Sequence, residues 1–151
     1  MILTSRQAIS YAEARENICY RLYKDAAGIC TDPFIKASLE EIAEEEKKHK
    51  AVLSEFDPSK LGEEGKVDLS TLMVDIDDPE PPGENAKLIE LIKFAIWMEE
   101  EDNNYYRFMR DKTTDKETRR LFELLATEER EHKTKLEKIL EELEPAGAYQ
   151  Q

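Results

Sequence analysis

Histidine is nearly missing from this 151-residue chain: there are two, His49 and His132. Cysteine is equally scarce. Cys19 and Cys30 do not form a C-x-x-C pair, and two thiols make no disulfide framework, so free thiols in a reducing compartment are expected. No apolar run reaches the length of a membrane span; the most apolar stretch, Leu88 to Met98, is broken by Glu90 and Lys93. The first ten residues hold no apolar signal core, so a cytoplasmic location is expected. Basic residues are outnumbered, 22 against 35 acidic, which leaves a net charge of -13. That balance argues against a nucleic-acid or anionic-membrane partner, since both call for basic patches. It suits the attraction of cations, although a solvated surface accounts for most of it. Glycine is low at five residues, while 40% of the chain is apolar and 38% charged. Such a mixture, rich in Ala, Glu, Lys, Leu and Arg, favours long amphipathic helices, and the length suits one domain spanning residues 1–151.

Four helices follow from the spacing. Thr4 or Ser5 can cap the first, which runs to about Ala27 before Gly28 and carries the stripe Ile9, Ala12, Cys19, Tyr23 and Ala26. Asp32-Pro33 opens the second, with Leu39, Ile42, Leu53 and Phe56 on one face, and Asp57-Pro58 ends it. Asn85 can cap the third, with Leu88, Ile92, Ala95, Tyr106 and Met109. Thr113 to Asp115 breaks that helix and caps the fourth, which carries Leu121, Leu125, Leu136, Ile139 and Leu143 to about Glu144, with a frayed tail from Ala146. The hairpins thus cover about 4–56 and 85–144. The connection 57–84 holds Gly62, Gly65, Pro79, Pro81, Pro82 and Gly83, which exclude a continuous helix. Val67, Leu69, Leu72, Val74 and Ile76 within it should lie across the bundle. So long a connection is needed if the second and third helices are parallel, because the chain must travel the bundle's length to restart.

A shift of 83 residues lays the second hairpin on the first without a gap. Ala12 falls on Ala95, Glu16 on Glu99, Tyr23 on Tyr106, Asp32 on Asp115, Glu45-Glu46 on Glu128-Glu129, His49 on His132 and Leu53 on Leu136. A duplicated hairpin packed about a pseudo-twofold axis gives an all-α, antiparallel four-helix bundle with the repeated residues at its middle. Those residues are unsuited to a plain core. Glu16, Glu46, Glu99 and Glu129 each fill a missing step of an apolar stripe, and His49 and His132 stand one turn beyond two of them. A buried carboxylate costs several kcal/mol unless it is paired, protonated or bound to metal.

Four carboxylates balance two divalent ions if the imidazoles are neutral. Oxygen and nitrogen donors together suit iron, manganese or zinc better than calcium or magnesium. A Glu from each of two helices plus Glu-x-x-His from each of the other two is the donor set of ferritin-like di-iron and di-manganese bundles. Glu13, Glu100 and Glu101 leave the stripe and the repeat, and read as solvated charge. Tyr23 and Tyr106 could be plain core or donors to the site, Cys19 is a small buried filler, and Trp97 is packing or an interface residue.

The pattern Ala-x-x-x-Glu, Tyr seven residues after that Glu, then Leu-Ala-x-Glu-Glu-x-x-His, resembles the rubrerythrin-like branch of the ferritin-like proteins over about residues 8–56 and 88–143. The second half matches best, through Ala95 to Glu99, Tyr105-Tyr106 and Leu125 to His132. The resemblance implies two iron ions, with manganese or zinc as alternatives. It implies bridging by Glu46 and Glu129, terminal ligation by Glu16 and Glu99, one histidine per ion, and hydrogen bonds to the site from Tyr23 and Tyr106. All six ligands would then be catalytic. Asp102 stands where the family has a Glu that can swing toward the metal, shorter here by one methylene; its repeat position is Cys19. No rubredoxin-like module with two C-x-x-C pairs is seen in this sequence. The implied activity is reduction of hydrogen peroxide at a carboxylate-bridged di-iron site with electrons from an external donor protein. The alternatives are a ferroxidase, binding or storing iron with dioxygen as oxidant, and an oxidase of organic substrates. A homodimer is expected, with apolar crossover residues available for the contact or for exchange of hairpins.

Overall fold

The computed structural model describes residues 2–61, 66–68, 79–83 and 86–144. Four helices dominate: α1 (Ser5–Ile29), α2 (Pro33–Glu55), α3 (Leu88–Lys112) and α4 (Lys116–Leu143). Their starts are chemically marked. The Thr4 hydroxyl accepts from Gln7 N while the Gln7 side chain accepts from Thr4 N, satisfying two otherwise orphaned donors at the start of α1. Asp32 accepts from Phe34 N and Ile35 N, and Pro33 has no N–H to leave unpaired. Asp115 accepts from Thr118 N and from its hydroxyl. The start of α3 differs from expectation: Lys87 is its cap residue and makes no side-chain capping bond, while the expected cap, Asn85, lies outside the described residues.

Direction follows from cross-helix bonds. Tyr105 donates to Ala8 O at 2.6 Å, and Tyr23, near the other end of α1, donates to Glu99. Residue numbers rise along α1 as they fall along α3, so these helices are antiparallel. His49 meets Glu128 and His132 meets Glu45, so α2 and α4 are antiparallel as well. Since each hairpin reverses direction within itself, α2 and α3 run the same way, which is why a long crossover separates them. The all-α, four-helix ferritin-like bundle expected from the spacing is the fold observed.

A short antiparallel ribbon that no local pattern announces joins the N-terminus to the crossover. β1 (Ile2–Thr4) pairs with β2 (Lys66–Asp68), Leu3 opposite Val67. Three residues each is too short for period-two alternation to be legible. Beside it, Ser5 donates to Leu61 O and Thr113 to Lys60 O, both at 2.7 Å, just past a 3-10 turn at Pro58–Lys60. The first part of the crossover is therefore strapped to the end of the bundle, with Leu61 and Val67 buried. Leu69, Leu72, Val74, Ile76 and the tail from Ala146 lie outside the described residues.

The core is in two parts. One end packs Leu22, Tyr23, Leu39, Ile42, Ile92 and Leu136; the other packs Ile9, Leu53, Tyr106, Met109, Phe122 and Leu125. Between them, at mid-height on all four helices, lies a layer of polar side chains. Two apolar plugs seal that layer above and below, which lowers its effective dielectric and strengthens every electrostatic interaction inside it.

Candidate metal centre

All six sequence-selected residues meet in this layer. Glu16, Glu46, Glu99, Glu129 and His132 are at most 1% exposed, and His49 is 4% exposed. They fall into two groups, Glu16, Glu46, His49 and Glu129, and Glu46, Glu99, Glu129 and His132. Each group can offer one donor atom per residue with all four atoms within 4.8 Å of one another. Glu46 and Glu129 belong to both groups, at the position of a bridge. The terminal carboxylates and the histidines divide between them, one of each per group.

The two imidazoles lie 5.9 Å apart, centroid to centroid, and nearly parallel. His49 Nδ1 is 2.8 Å from Glu129 Oε1 and His132 Nδ1 is 2.6 Å from Glu46 Oε1. Each histidine thus faces, on the opposite hairpin, the carboxylate shared by both groups, although its own helix carries a Glu three residues earlier. These approaches are close without being aligned as hydrogen bonds. Both Nδ1 atoms, both oxygens of Glu46 and of Glu129, and one oxygen each of Glu16 and Glu99 are buried without a hydrogen-bond partner among the described residues. Buried polar atoms are normally satisfied. Here every unsatisfied one belongs to the six residues, with oxygen and nitrogen lone pairs gathered in one sealed layer. That donor set fits two divalent cations.

Proton affinities carry the same signature. Burial, reinforced by the charges of Glu99 and Glu16, pushes Glu46 well above the usual carboxylate range. Burial and the neighbouring charges of Glu46 and Glu99 do the same to Glu129. Burial alone would depress His49, but the nearby charge of Glu16 and the hydrogen bond to and charge on Glu128 outweigh it and push the imidazole up to about 9. Without cations, then, the layer holds protons to offset its crowded charges.

Tyr23 and Tyr106 act across the pseudo-twofold axis. Tyr23 donates to Glu99 and Tyr106 to Glu16, so each of these two carboxylates is held by the tyrosine of the other hairpin. Both hydroxyls are fully enclosed, and burial beside these carboxylates raises their pKa, which keeps them donors. Glu13, Glu100 and Glu101 stay outside the cluster; Glu100 is exposed beside Lys133. Trp97, half-buried, packs on Phe94.

Two features escaped the sequence reading. The first is the role of Glu45 and Glu128. Nε2 of His132 meets Glu45 and Nε2 of His49 meets Glu128, which leaves Nδ1 of each ring for the centre once Nε2 carries the proton. The clue was the doubled glutamate in the repeat: a neighbour on a helix is turned by about 100° and so faces the adjacent helix. Orienting carboxylates of this kind are worth about 10–100-fold in metal affinity. Glu45→Leu and Glu128→Leu are each expected to weaken ferrous-ion binding by that factor in a chelator competition titration; unchanged affinity would remove the role.

The second is Arg15. Its guanidinium pairs with Asp102, its other arm lies 3.4 Å from Met98 Sδ, and Cys19 Sγ donates to Asp102 Oδ2 at 3.5 Å. Arg15 and Met98, like Cys19 and Asp102, are repeat mates that differ in chemistry, so the duplication is broken at one buried spot on the α1/α3 seam. Asp102 belongs to neither ligand group. Burial first, with the charges of Glu16 and Glu99, pushes its pKa up to about 7 against the opposing pull of Arg15. Removing one partner of a buried pair strands the other. Arg15→Met is expected to cost roughly 3 kcal/mol in urea denaturation, and Arg15→Met with Asp102→Leu much less; equal losses would show that the pair is not coupled.

The described helices contain no segment long and apolar enough to cross a membrane. No curated protein matches the sequence. A solved structure of a hypothetical protein from Pyrococcus furiosus is similar at 25% identity with a TM-score of 0.73, covering 92% of this chain and 89% of that one. The rubrerythrin family model matches residues 3–56 and 90–150, spanning both hairpins and every residue of the central layer. By that match the chain belongs to the rubrerythrin family, whose members hold a di-iron site.

Proposed function

We propose that this chain is a non-haem di-iron oxidoreductase that reduces hydrogen peroxide with electrons from an external donor protein. The observation that carries the reading is the set of eight buried donor atoms, all on six residues, that lack a hydrogen-bond partner among the described residues. Glu46 and Glu129 would bridge two ions, Glu16 with His49 and Glu99 with His132 completing each side. When bound, two ferrous ions supply the two electrons that, with two protons, convert one peroxide to two waters.

The protein's own side chains do the rest. Four carboxylates cancel the charge of two divalent ions, so the loaded layer can remain buried between apolar plugs. Tyr23 and Tyr106 hold the terminal carboxylates in place. Glu45 and Glu128, whose side chains are 31% and 34% exposed, fix the imidazoles and form the edge of the layer nearest solvent. They are placed to pass protons between water and the histidine Nε2 atoms. Leu39, Ile42, Phe122 and Leu125 exclude bulk water from the two ends.

Stopped-flow mixing of the diferrous protein with hydrogen peroxide tests the reading. Oxidation at least about 100-fold faster than that of free ferrous ion at the same pH is expected, since ligand positioning and charge neutralisation both act on this step. A rate equal to that of free ferrous ion would overturn the peroxidase role. A ferroxidase is the second reading, favoured by the half-exposed acidic pair Glu45 and Glu128, which suits cation entry. Faster reaction with dioxygen than with peroxide, in a large closed assembly, would shift the assignment to it.

A further inference from the structure

The strong negative charge of this chain is not evenly spread. Five arginines, Arg107, Arg110, Arg119, Arg120 and Arg130, line two adjoining hollows on the outer face of α3 and α4, with cavity volumes of about 490 and 140 Å³. Arg110 pairs with Glu123 and Asp111. The other four are exposed, and none has an ion pair within 4 Å among the described residues. Leu124, 54% exposed, lies among them.

The duplication supplies an internal control. Shifted by 83 residues, the same face of α1 and α2 carries Lys24, Lys36 and Lys47 against Glu40, Glu41 and Glu44, a net charge of zero. On the second hairpin Arg107, Arg119 and Arg130 replace the three lysines, Arg110 and Arg120 replace Ala27 and Ala37, Leu124 and Thr127 replace Glu41 and Glu44, and Glu123 matches Glu40, a net charge of +4. The two faces adjoin equivalent halves of the central layer. Solubility gives no reason for one to be neutral and the other cationic with an apolar centre.

The cationic face is also close to the site. Asn103 donates to Ala126 O at 2.6 Å across the floor of the smaller hollow. Asn103 lies four residues after Glu99 and Ala126 three before Glu129, so the floor is about 5–6 Å along each helix from a carboxylate of the layer. A protein seated here would stand one helix thickness from the proposed metal pair.

We propose that the α3/α4 face is the docking surface for an acidic electron-carrier protein. This rests on the redox reading of the central layer. Two reduced one-electron carriers, one peroxide and two protons give two oxidised carriers and two waters, so each carrier must dock, deliver one electron and leave. Arginines around an exposed leucine are the composition of a protein interface, with a guanidinium rim and an apolar anchor. A nucleic acid has no use for the leucine and meets repulsion from the rest of the surface. That repulsion also acts on an acidic protein at other faces, within a Debye length of about 10 Å at 0.1 M salt, which confines productive encounters to this one.

The probe is an acidic [2Fe–2S] ferredoxin. Its oxidised form is titrated calorimetrically into the metal-free protein at low salt, which tests docking without any redox step. Arg107→Glu with Arg130→Glu is expected to weaken binding at least about tenfold. Lys24→Glu with Lys47→Glu changes net charge by the same amount on the mirrored face and is expected to stay within twofold. Arg107→Gln with Arg130→Gln, and helical circular dichroism on every variant, separate docking from folding. Equal weakening by both reversals, or no measurable binding, would overturn the proposal. So would a single-stranded oligonucleotide that needs these arginines when ferredoxin does not, or a self-association dissolved by the arginine reversal in their place. With iron-loaded protein, the arginine reversal should slow reduction by reduced ferredoxin and leave reduction by dithionite unchanged. Iron content of the same samples scores the metal reading separately, so failure of one is distinguishable from failure of the other.

Discussion

Anaerobic loading with two ferrous ions per chain is expected to raise the melting temperature by more than about 15 °C. A ligand present at about 1,000 times its dissociation constant stabilises the folded state by about 4 kcal/mol per site, and a chain of this size gains about 2–4 °C per kcal/mol. The metal-free layer is the reason the gain should be so large. Eight buried donor atoms there lack a hydrogen-bond partner among the described residues, and metal ions would replace that deficit with bonds. The effect depends on pH with a definite sign. Glu46, Glu129 and His49 bind protons more tightly folded than unfolded. Their contribution to the metal-free fold is therefore present below their unfolded values, about 4.3 for Glu and 6.5 for His. It is lost as pH rises through the folded values, which for His49 means between 6.5 and about 9. Glu16, held low by Glu46 and His49 despite its burial, acts in the opposite direction. Net proton release on metal binding should follow, so affinity climbs across the range in which the metal-free fold weakens. Calorimetric melts at pH 6, 7.5 and 9, with and without iron, check both halves. A melting point indifferent to iron, or a bound stoichiometry well below two, would count against the central claim.

Removing the two carboxylates proposed to bridge the ions is expected to separate stability from function. Glu46→Leu with Glu129→Leu takes two buried carboxyl groups out of a site where each is crowded by its neighbours, and replaces them with side chains that match the apolar plugs above and below. Exchanging buried charge for well-packed apolar volume commonly stabilises by about 1–4 kcal/mol. The metal-free double variant should therefore unfold at higher urea than the metal-free parent, while iron binding falls below detection in equilibrium dialysis. A helical bundle that used these residues as structural partners would instead lose stability. Glu46→Gln with Glu129→Gln keeps the shape and the buried polarity but cannot ionise to hold a cation, so it should lie between the parent and the leucine variant in stability and share the loss of iron. If either pair retained two bound ions per chain, the bridge would have to be sought elsewhere in the layer.

Much of this was legible from residue order because helical periodicity is a local property. Thr4, Asp32 and Asp115 mark helix starts through side chains that reach only two or three residues along the chain. Glu16, Glu46, Glu99 and Glu129 stood out because each interrupts an apolar stripe, and the 83-residue shift showed that the interruptions were paired. What escaped depends on partners distant in sequence. Glu45 and Glu128 acquire a role only when the opposite hairpin supplies an imidazole. Asp102 looked like a further carboxylate for the site, yet it lies against Arg15, 87 residues away. The ribbon of β1 and β2 needed the N-terminus and the crossover to meet, which no local pattern announces.

The sequence by itself determined the four helices, the duplication and the six donors, since spacing along a helix decides which side chains share a face. Only the tertiary structure decided how those faces met. Antiparallel packing of the hairpins crossed the tyrosines onto opposite carboxylates, turned His49 toward Glu129 and His132 toward Glu46, and gathered five arginines on one face of a chain whose net charge is -13. The physical reason is range: periodicity acts over a few residues, whereas burial, pairing and charge density depend on what the folded chain brings within a few ångströms.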